Sequence, residues 1–466
     1  MKCDGELDAG RGAGPLAVIG LGYVGLPVAL AAARAHGTAS GAGGGAGPVL
    51  AFDRDPERIA ELLAGRDRTG VATAEELADG RLRFTADARD LAGTAFHIVT
   101  VPTPVDERQQ PDLTDLLAAM DLIGPLLRPG SAVAVESTLY PGATETVLGP
   151  RLAAASGLVC GEDFKLIYSP ERINPGDQAH AFGATPKLIA GQDAVALELA
   201  REVYEPLVPA GLVELSSIAA AEAAKAIENT QRDLNIALVN EFAQVLDALD
   251  LDTGEVLAAA ATKWNFHAYR PGLVGGHCIG VDPWYLAARA REVGLEPRVL
   301  LAGRAVNDGM PAFVAERVAA QLNRIRRGPA PQGTQAADGP RRILILGLTY
   351  KDAVPDARHS LVPALAAELT GRGFAVAAWD PLVDACEGLW TGEQAWEFCS
   401  EAPTSGSRGP CAWSAIILAR RHCGLVELAE QLCVQDAAGG LLADLTGTFG
   451  PSGERAWPAG VSTWGL

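Results

Sequence analysis

The feature that most constrains the fold is a glycine pattern in the stretch VIGLGYVGLP, which stands between an apolar run and an alanine-rich run with helical spacing. Gly20 permits a tight turn, Gly22 lets a pyrophosphate approach the backbone, and Gly25 allows close packing of the helix. Tyr23 and Val24 lie in the same loop, at the helix N-terminus that would face the phosphate charge. The pattern predicts a Rossmann domain with a dinucleotide site.

The choice of dinucleotide depends on Asp53, which ends the next apolar run in VLAFDRDPER. A carboxylate there suits a pair of ribose hydroxyls and repels a 2′-phosphate, so the sequence favours NAD over NADP. The glycine-rich segment HGTASGAGGGAGP lengthens the usual spacing of about 20 residues and is interpreted as a flexible insertion. Arg58 is a further cofactor candidate. A helix cap for Asp53 and a solvated helix position for Arg58 are the alternatives.

Short apolar runs alternate with helical patterns through the first half of the chain. The runs that predict buried parallel strands are LAVIGL, PVLAFD, AFHIVTVPTP, SAVAVEST, KLIYSPE and PKLIAG. Residues 217–250 contain no Pro or Gly and keep apolar residues at helical spacing, which predicts one long helix.

The strand rhythm resumes after a linker-like segment at residues 326–342, with RILILGL, FAVAAWD, SAIILA and LLADLTG. The predicted fold is therefore α/β, with two Rossmann-like, doubly wound parallel-sheet domains joined by a long central helix. The predicted boundaries are 1–214 for the NAD-binding domain, 215–322 for a helical dimerisation domain with the Cys278 loop, and 323–466 for the second Rossmann-like domain.

Charge and cysteine content exclude several classes of protein. The net charge of -19 argues against nucleic acid or an anionic membrane as a partner. The eight cysteines include no CxxC pair, so we expect neither a disulfide framework nor a metal site, and we expect a cytoplasmic location. The apolar residues 15–35 also resemble a signal peptide or membrane helix, but three glycines and Pro27 would break such a helix.

Several polar residues are candidates for binding because of where they fall on the predicted elements. Thr103 and Thr138 follow predicted strands, where ligands bind in open α/β sheets, although strand-end capping is an equal alternative. Glu171 and Arg172 lie in the loop YSPERINPGD, where a carboxylate held beside a ligand can serve as general base, while most single Glu residues are surface charges.

Two further pairs of polar residues are candidates for binding an anion. Lys225 and Asn229 are four residues apart on the long helix and share a face, which suits an oxyanion or a polarised water. Lys351 and Arg358 follow the first strand of the last domain and resemble a phosphate clamp. For the helix pair, a solvated stripe is the alternative.

The segment RPGLVGGHCIGVDPWY places Cys278 behind two glycines and a histidine, with Asp282 close by. A single cysteine is by default an inert, buried, small apolar residue. Glycines instead let backbone and ligand approach closely, as an attacking thiolate requires. These residues alone leave both interpretations open.

Six motifs in order resemble the UDP-glucose/GDP-mannose dehydrogenase family over most of the chain. They are VIGLGYVGLP, ESTLYPGATE, YSPERINPGD, KAIENTQRDLNIALVNEFA, VGGHCIGVDP and LGLTYKDAVPDARHS. The segment ATKWNFHAYRPGLVGGHCIGVDPWYL is most similar to the corresponding segment of bacterial UDP-N-acetylhexosamine 6-dehydrogenases of the Vi-antigen and O-antigen type. Within DARHS, His359 stands where close relatives tend to have Asn.

The resemblance implies a four-electron oxidation at C6 of the sugar, with two NAD molecules used in succession. Cys278 would attack the aldehyde to give a thiohemiacetal, and loss of the second hydride would leave a thioester that water cleaves to the uronic acid. The product would feed surface polysaccharide synthesis, and the protein would be a homodimer formed through the central helix.

The implied residue roles fall into three sets. The catalytic set is Cys278, Lys225, Asn229, Glu171, Asp282 and Thr138. The cofactor set is Gly20, Gly22, Tyr23, Val24, Gly25, Asp53, Arg58, Thr103, Thr138 and Arg358. The set that would bind the UDP-sugar is Glu171, Arg172, Lys225, Asn229, Arg270, Gly275, His277 and Lys351.

Three alternatives remain at this stage. UDP-glucose or UDP-N-acetylmannosamine would be oxidised by the same chemistry. A hydroxyacid-type dehydrogenase would perform a single oxidation and would have no use for Cys278. A nucleotide-sugar-binding protein without turnover would not need the set of Cys278, Lys225, Asn229 and Glu171.

Overall fold

The chain forms two compact units. The computed structural model describes residues 15–36, 48–173, 182–327, 341–383, 396–403, 413–435, 440–450 and 453–466. One unit holds Met1–Glu228 with Trp284–Glu296, and the other holds Asn229–Pro283 with Pro297–Leu466. Residues 37–47 of the predicted insertion and residues 328–340 of the predicted linker lie outside the described residues. The three-domain boundaries stay a prediction.

The first unit is built on an eight-stranded sheet. Its strands are β1 (Leu16–Ile19), β2 (Val49–Phe52), β3 (Leu82–Thr85), β4 (Phe96–Val99), β5 (Ser131–Val135), β6 (Phe164–Tyr168), β7 (Lys187–Gly191) and β8 (Leu212–Glu214). They lie in the order β3-β2-β1-β4-β5-β6-β7-β8. The first six follow the Rossmann order, which reverses between β1 and β4 and opens a crevice at their carboxyl ends. The β6–β7 pair is antiparallel, an exception that the apolar pattern does not reveal.

Helices cover both faces of this sheet and bury its apolar strands. They are α1 (Gly25–His36), α2 (Pro56–Leu63), α3 (Ala74–Leu77), α4 (Thr114–Ile123), α5 (Gly149–Ser156) and α6 (Ala194–Tyr204). Strands β1, β2, β4 and β5 are buried along their whole length, as expected for a sheet with two covered faces. Helix α7 (Ile218–Ala248) follows and confirms the predicted long helix.

The second unit contains a six-stranded sheet. Its strands are β9 (Arg342–Leu346), β10 (Ala375–Trp379), β11 (Glu397–Phe398), β12 (Ala415–Leu418), β13 (Leu441–Asp444) and β14 (Ser462–Gly465), in the order β11-β10-β9-β12-β13-β14. Every described pair is parallel. This is again the Rossmann order, so the predicted fold of two Rossmann-like domains is confirmed.

The remaining helices complete the chain. They are α8 (Thr253–Ala261), α9 (Asp282–Glu292), α10 (Arg298–Arg327), α11 (Val362–Gly371) and α12 (Leu425–Gln435). From Trp284 onward, α9 belongs to the first unit. Within the described segments, none of the helices combines the length and the apolarity that crossing a bilayer requires.

Candidate functional site

The glycine loop of the first unit has the geometry that its sequence predicts. Gly20 has φ +94°, which favours glycine. A Cβ on Gly25 would lie 1.8 Å from the Gly20 carbonyl oxygen, so helix α1 can pack this closely only with glycine there. A Cβ on Gly22 would meet nothing within 4 Å, so the loop backbone is open on that side. The half-buried Tyr23 and Val24 follow it.

Asp53 lies beside this loop and is half-buried. Its Oδ2 accepts a hydrogen bond from the Leu21 N–H (2.8 Å) and its Oδ1 accepts one from the Asp55 N–H (3.0 Å). A cavity of about 140 Å³ adjoins Asp53 and Gly20, with apolar walls that include Phe52 and Val101. Apolar walls for a base, a carboxylate for ribose hydroxyls and an open glycine backbone for pyrophosphate together fit NAD.

Arg58 is buried beneath the glycine loop. Its Nε donates to the Leu21 carbonyl oxygen (3.0 Å), and Nη2 donates to Asp67 (2.6 Å). The structure thus places this guanidinium against the loop backbone, where it supports the turn. Its role toward the cofactor stays a prediction.

The loops after β4 and β5 carry Thr103 and Thr138, and both residues are half-buried. Next to Thr138, the Ser137 hydroxyl donates to the Val101 carbonyl oxygen (2.6 Å) and joins the two loops. Glu222, buried on α7, holds the far side of the second loop by accepting bonds from the Thr144 N–H (2.9 Å) and hydroxyl (2.7 Å). Sequence reasoning missed Glu222, although it lies three residues before Lys225 on the same helical face.

Glu171 and Arg172 follow β6. Arg172 forms an ion pair with Glu228 of α7, at 2.7 Å. Glu171 Oε2 lies 3.2 Å from the ammonium of Lys187, which is itself 2.9 Å from Glu136 Oε2. Sequence reasoning missed Lys187 and Glu136. Their signal is a charge inside an otherwise apolar strand pattern, in SAVAVEST and PKLIAG.

Helix α7 carries the predicted pair of Lys225 and Asn229. Lys225 is buried and Asn229 is half-buried. The Asn229 amide donates to Oδ2 of the buried Asp282 (2.5 Å), the first residue of α9. The Asp282 N–H donates to the Cys278 carbonyl oxygen (2.8 Å). The structure therefore brings three predicted catalytic residues together: Asn229, Asp282 and the exposed Cys278.

The glycines before Cys278 let its loop pack tightly against the loop after β9. A Cβ on Gly275 would lie 2.5 Å from the His359 carbonyl oxygen, and one on Gly276 would lie 2.6 Å from the Tyr350 ring. Gly276 also has φ +92°. The glycines therefore set the position of the loop that ends in Cys278.

An ion cluster extends this packing. His277 Nε2 lies 3.1 Å from Asp356 Oδ2, and Arg358 forms two bonds to the same carboxylate at 3.0 and 2.7 Å. Burial acts to raise the pKa of Asp356, but the bonds from His277 and Arg358 outweigh it and hold the pKa below its ordinary value. Burial, together with the charges of His277 and Arg358, lowers the pKa of His359. His359 has φ +54°, a region that Asn adopts more easily than most residues.

The other side of the Cys278 loop is held by Asn240 of α7. Its amide donates to the Gly272 carbonyl oxygen (3.1 Å) and accepts from the Gly272 N–H (2.8 Å). Asn307 of α10 fixes that amide at 2.8 Å and is in turn bonded to the buried Asp233. This buried polar chain was not predicted, because its members are far apart in sequence.

The remaining predicted cations differ in their surroundings. Arg270 is exposed and lines a cavity of about 470 Å³ that also includes Trp457, Trp464 and Thr446. Lys351 is half-buried in the loop after β9, where the Thr349 hydroxyl donates to its carbonyl oxygen (2.9 Å). The predicted phosphate clamp of Lys351 and Arg358 stays a prediction, with Arg358 engaged by Asp356.

Two family models match the chain. Residues 15–208 match the NAD binding domain of the UDP-glucose/GDP-mannose dehydrogenase family, and residues 219–309 match the central domain of that family. Protein CapL of Staphylococcus aureus is 46% identical over 369 residues, which are 79% of this chain and 82% of that protein.

Two further proteins are similar in sequence or in structure. The UDP-N-acetyl-D-glucosamine 6-dehydrogenase of Pseudomonas aeruginosa is 44% identical over 408 residues, or 87% of this chain and 90% of that protein. The structure of a UDP-D-ManNAc dehydrogenase from Pyrococcus horikoshii superposes with a TM-score of 0.79 at 26% identity, covering 97% of this chain and 99% of that one.

Proposed function

Because the chain belongs to the UDP-glucose/GDP-mannose dehydrogenase family and its cofactor is NAD, we propose that it oxidises C6 of a UDP-N-acetylhexosamine, GlcNAc or GalNAc, to the uronic acid. The similarity to the Pseudomonas aeruginosa enzyme supports this sugar class. UDP-glucose and UDP-N-acetylmannosamine are the alternative substrates, the latter favoured by the structural similarity to the Pyrococcus horikoshii enzyme.

NAD bound at the glycine loop supplies the hydride acceptor for each oxidation. In the proposed reaction, the Cys278 sulfur forms a bond to the aldehyde carbon, which makes that carbon tetrahedral and able to release a second hydride. Lys225 and Asn229 stabilise the oxyanions or the water network. Glu171 takes a proton from the water that cleaves the thioester.

Two hydrogen bonds and the exposure of Cys278 support the covalent step most. Asn229 of α7 donates to the Asp282 carboxylate, and the Asp282 N–H at the start of α9 donates to the Cys278 carbonyl oxygen, so the backbone of the cysteine loop is tied to Asp282 and through it to Asn229. An inert structural cysteine would be buried among apolar groups, whereas Cys278 is exposed. Thr138 contacts the water or the nicotinamide in this scheme.

The substrate side involves the basic residues of the second unit. We propose that Arg270, His277 and Lys351 bind the UDP-sugar, with Gly275 allowing close approach, because the diphosphate requires cations. Arg172 and Glu171 would contact the sugar. Thr103 and Arg358 belong to the cofactor contacts in the same proposal.

The test is the yield of NADH per mole of sugar across a panel of UDP-sugars. Two NADH per sugar with UDP-GlcNAc or UDP-GalNAc is the expected result. One NADH would indicate a single-oxidation dehydrogenase, and binding without NADH would indicate a nucleotide-sugar-binding protein. Cys278→Ser should bind the sugar but form no uronate, and a normal uronate yield from that variant would contradict the proposal.

We also propose a homodimer that forms through α7, in the cytoplasm, with the uronate used for surface polysaccharide. Three apolar side chains on α7 are exposed at helical spacing, Leu238, Phe242 and Val245, and the exposed Leu249 follows directly after the helix. An exposed apolar stripe of this kind marks a contact surface. Light scattering should give a dimer mass for the wild type and a monomer mass for Phe242→Glu. A monomeric wild type would contradict this part of the proposal.

A further inference from the structure

A buried ion cluster lies behind Glu171 in the first unit. Lys187, the first residue of β7, and Glu136, directly after β5, are both almost fully buried. The Lys187 ammonium contacts Glu136 Oε2 at 2.9 Å, Glu171 Oε2 at 3.2 Å and the Pro170 carbonyl oxygen at 3.3 Å. The Tyr204 hydroxyl donates to Glu136 Oε1 (2.7 Å) and completes the cluster.

Stability alone does not explain this cluster, because burying its charges costs free energy. Burying a charge costs several kcal/mol, and replacing a buried ion pair with apolar residues is often neutral or stabilising. The strands around these residues are apolar, so the sheet could pack Val or Leu at both positions. One carboxylate would also neutralise one ammonium, yet Lys187 reaches a second carboxylate, that of Glu171, on the loop predicted to serve the reaction.

The charge states follow from the contacts. Burial acts to lower the pKa of Lys187, but Glu136 and Glu171 outweigh burial and raise it above its ordinary value, so the ammonium stays charged. Arg172 holds the other oxygen of Glu171 through its backbone N–H (2.6 Å). Glu171 is therefore held at both oxygens, and Lys187 provides the side-chain contact.

We propose that Lys187, anchored by Glu136, is a positioning residue that holds the Glu171 carboxylate for thioester hydrolysis. This inference rests on the proposed function of Cys278. In that step the water oxygen bonds to the acyl carbon and its proton passes to Glu171. The C–S bond then breaks, its electron pair returns to the Cys278 sulfur, and no oxidant or reductant is consumed.

The inference separates the hydrolytic step from the two oxidations. Glu171 has no part in either hydride transfer in this scheme, so loss of its positioning contact should slow hydrolysis only. The acylated form of Cys278 should then accumulate during turnover. If Lys187 had only a structural role, its substitution would instead lower the rate of every step and the stability of the fold together.

The experiment compares Lys187→Gln, Lys187→Arg and the wild type under saturating UDP-sugar and NAD. Acid-quenched samples give the acylated fraction of Cys278 by mass spectrometry, and steady-state assays give kcat and KM. For Lys187→Gln we expect a kcat at least about 10-fold lower and a higher acylated fraction. The KM for the sugar should fall in the same proportion as kcat, so that kcat/KM is retained, because the steps before hydrolysis are unchanged. Lys187→Arg keeps the cation and should restore most of kcat.

Lys165→Gln is the matched control. Lys165 is on the neighbouring strand β6 and pairs with Asp193 and not with Glu171, so its loss should leave the acylated fraction unchanged. If Lys187→Gln does not fold, Glu136→Gln, which removes the anchor and keeps its shape, should lower kcat and raise the acylated fraction in the same way.

Two outcomes overturn the inference while the wild type still acylates Cys278. The first is that folded Lys187→Gln and Glu136→Gln show the same acylated fraction of Cys278 as the wild type. The second is that Lys187→Gln slows the oxidations and the hydrolysis equally and that Lys187→Arg does not restore these rates. Absence of acylation in the wild type itself would instead overturn the proposed function.

Discussion

The two Rossmann-like units begin with nearly the same turn and use it differently. Gly20 and Gly347 each follow the first strand of a sheet, with φ of +94° and +96°. In each unit an aspartate after the second strand accepts a bond from the loop backbone: Asp53 from the Leu21 N–H at 2.8 Å, and Asp380 from the Leu348 N–H at 2.5 Å. Both units therefore use the same turn at the end of their first buried parallel strand.

The aspartates differ in what else they contact. Asp53 is half-buried beside a cavity, and α1 begins shortly after the turn, at Gly25. Asp380 is buried and bonded to His422 at 3.1 Å, and α11 begins only at Val362. One carboxylate is placed to meet ribose hydroxyls, and the other is used to stabilise its own loop. The same turn therefore does not imply the same ligand.

The largest effect should come from Gly25→Ala. Its Cβ would lie 1.8 Å from a backbone oxygen, so the loop must shift, at a cost of about 3 kcal/mol. NAD affinity should fall by more than about 100-fold, because the pyrophosphate site is the shifted backbone. NAD titration and thermal unfolding measure the two effects.

Two glycine variants serve as comparisons. Gly22→Ala meets no neighbouring atom and should weaken NAD binding without loss of stability. In Gly347→Ala the Cβ would lie 2.5 Å from the Arg420 Cβ, so this variant should lose stability and keep NAD affinity in its folded fraction. Weaker NAD binding in folded Gly347→Ala would contradict the conclusion that only the Gly20 turn serves the NAD site.

A smaller effect should separate the two aspartates. Asp380 accepts backbone N–H groups at both oxygens, from Leu348 and Thr349 at Oδ2 and from Leu382 at Oδ1. Asp380→Asn replaces one of these buried oxygens by an NH2 group that cannot accept, and should cost about 1–3 kcal/mol of stability. Asp53→Asn should leave the melting temperature nearly unchanged and raise the Kd for NAD by about 10-fold. The opposite pattern, with Asp53 as the more destabilising site, would show that the comparison is wrong.

The smallest effect should appear in acid. Burial acts to raise the pKa of Asp380, but His422 and the Leu348 and Leu382 N–H groups outweigh it, and the pKa lies below the ordinary value of 3.8. A carboxyl with a lowered folded-state pKa contributes stability above its unfolded pKa, and that stability is lost as the pH falls through the folded pKa.

The melting temperature of Asp380→Asn should accordingly depend less on pH than that of the wild type from about pH 5 to about pH 3. Asp250→Asn, at an exposed position, is the control and should follow the wild type. Equal slopes for Asp380→Asn and the wild type would contradict this assignment.

Local pattern was sufficient for much of the fold. Apolar runs predicted ten of the strands, and an uninterrupted helical pattern predicted α7. Both predictions succeed because the burial of a strand and the periodicity of a helix are visible within a short stretch of sequence. The strands β3, β8, β11 and β14 were not predicted. They are short or carry exposed residues, so their apolar signal is weak.

The site was less accessible to sequence reasoning. Gly20, Gly25 and Asp53 were predicted from a motif whose physical reason is local. Lys187, Glu222 and Asn240 were missed, since their partners lie 16 to 80 residues away in sequence. For Cys278, the residues alone left the inert and reactive interpretations open, and the family resemblance was needed to favour the reactive one.

In the proposed reaction, Cys278 carries the sugar as an acyl group between the second oxidation and hydrolysis. Acid quenching of the protein during turnover with NAD and UDP-GlcNAc or UDP-GalNAc, followed by peptide mass spectrometry, tests it directly. We expect a UDP-sugar acyl group on the peptide that contains Cys278, at higher occupancy in Glu171→Gln. Uronate formation with this peptide unmodified in every sample, or with the acyl group on another residue, would contradict a covalent role for Cys278.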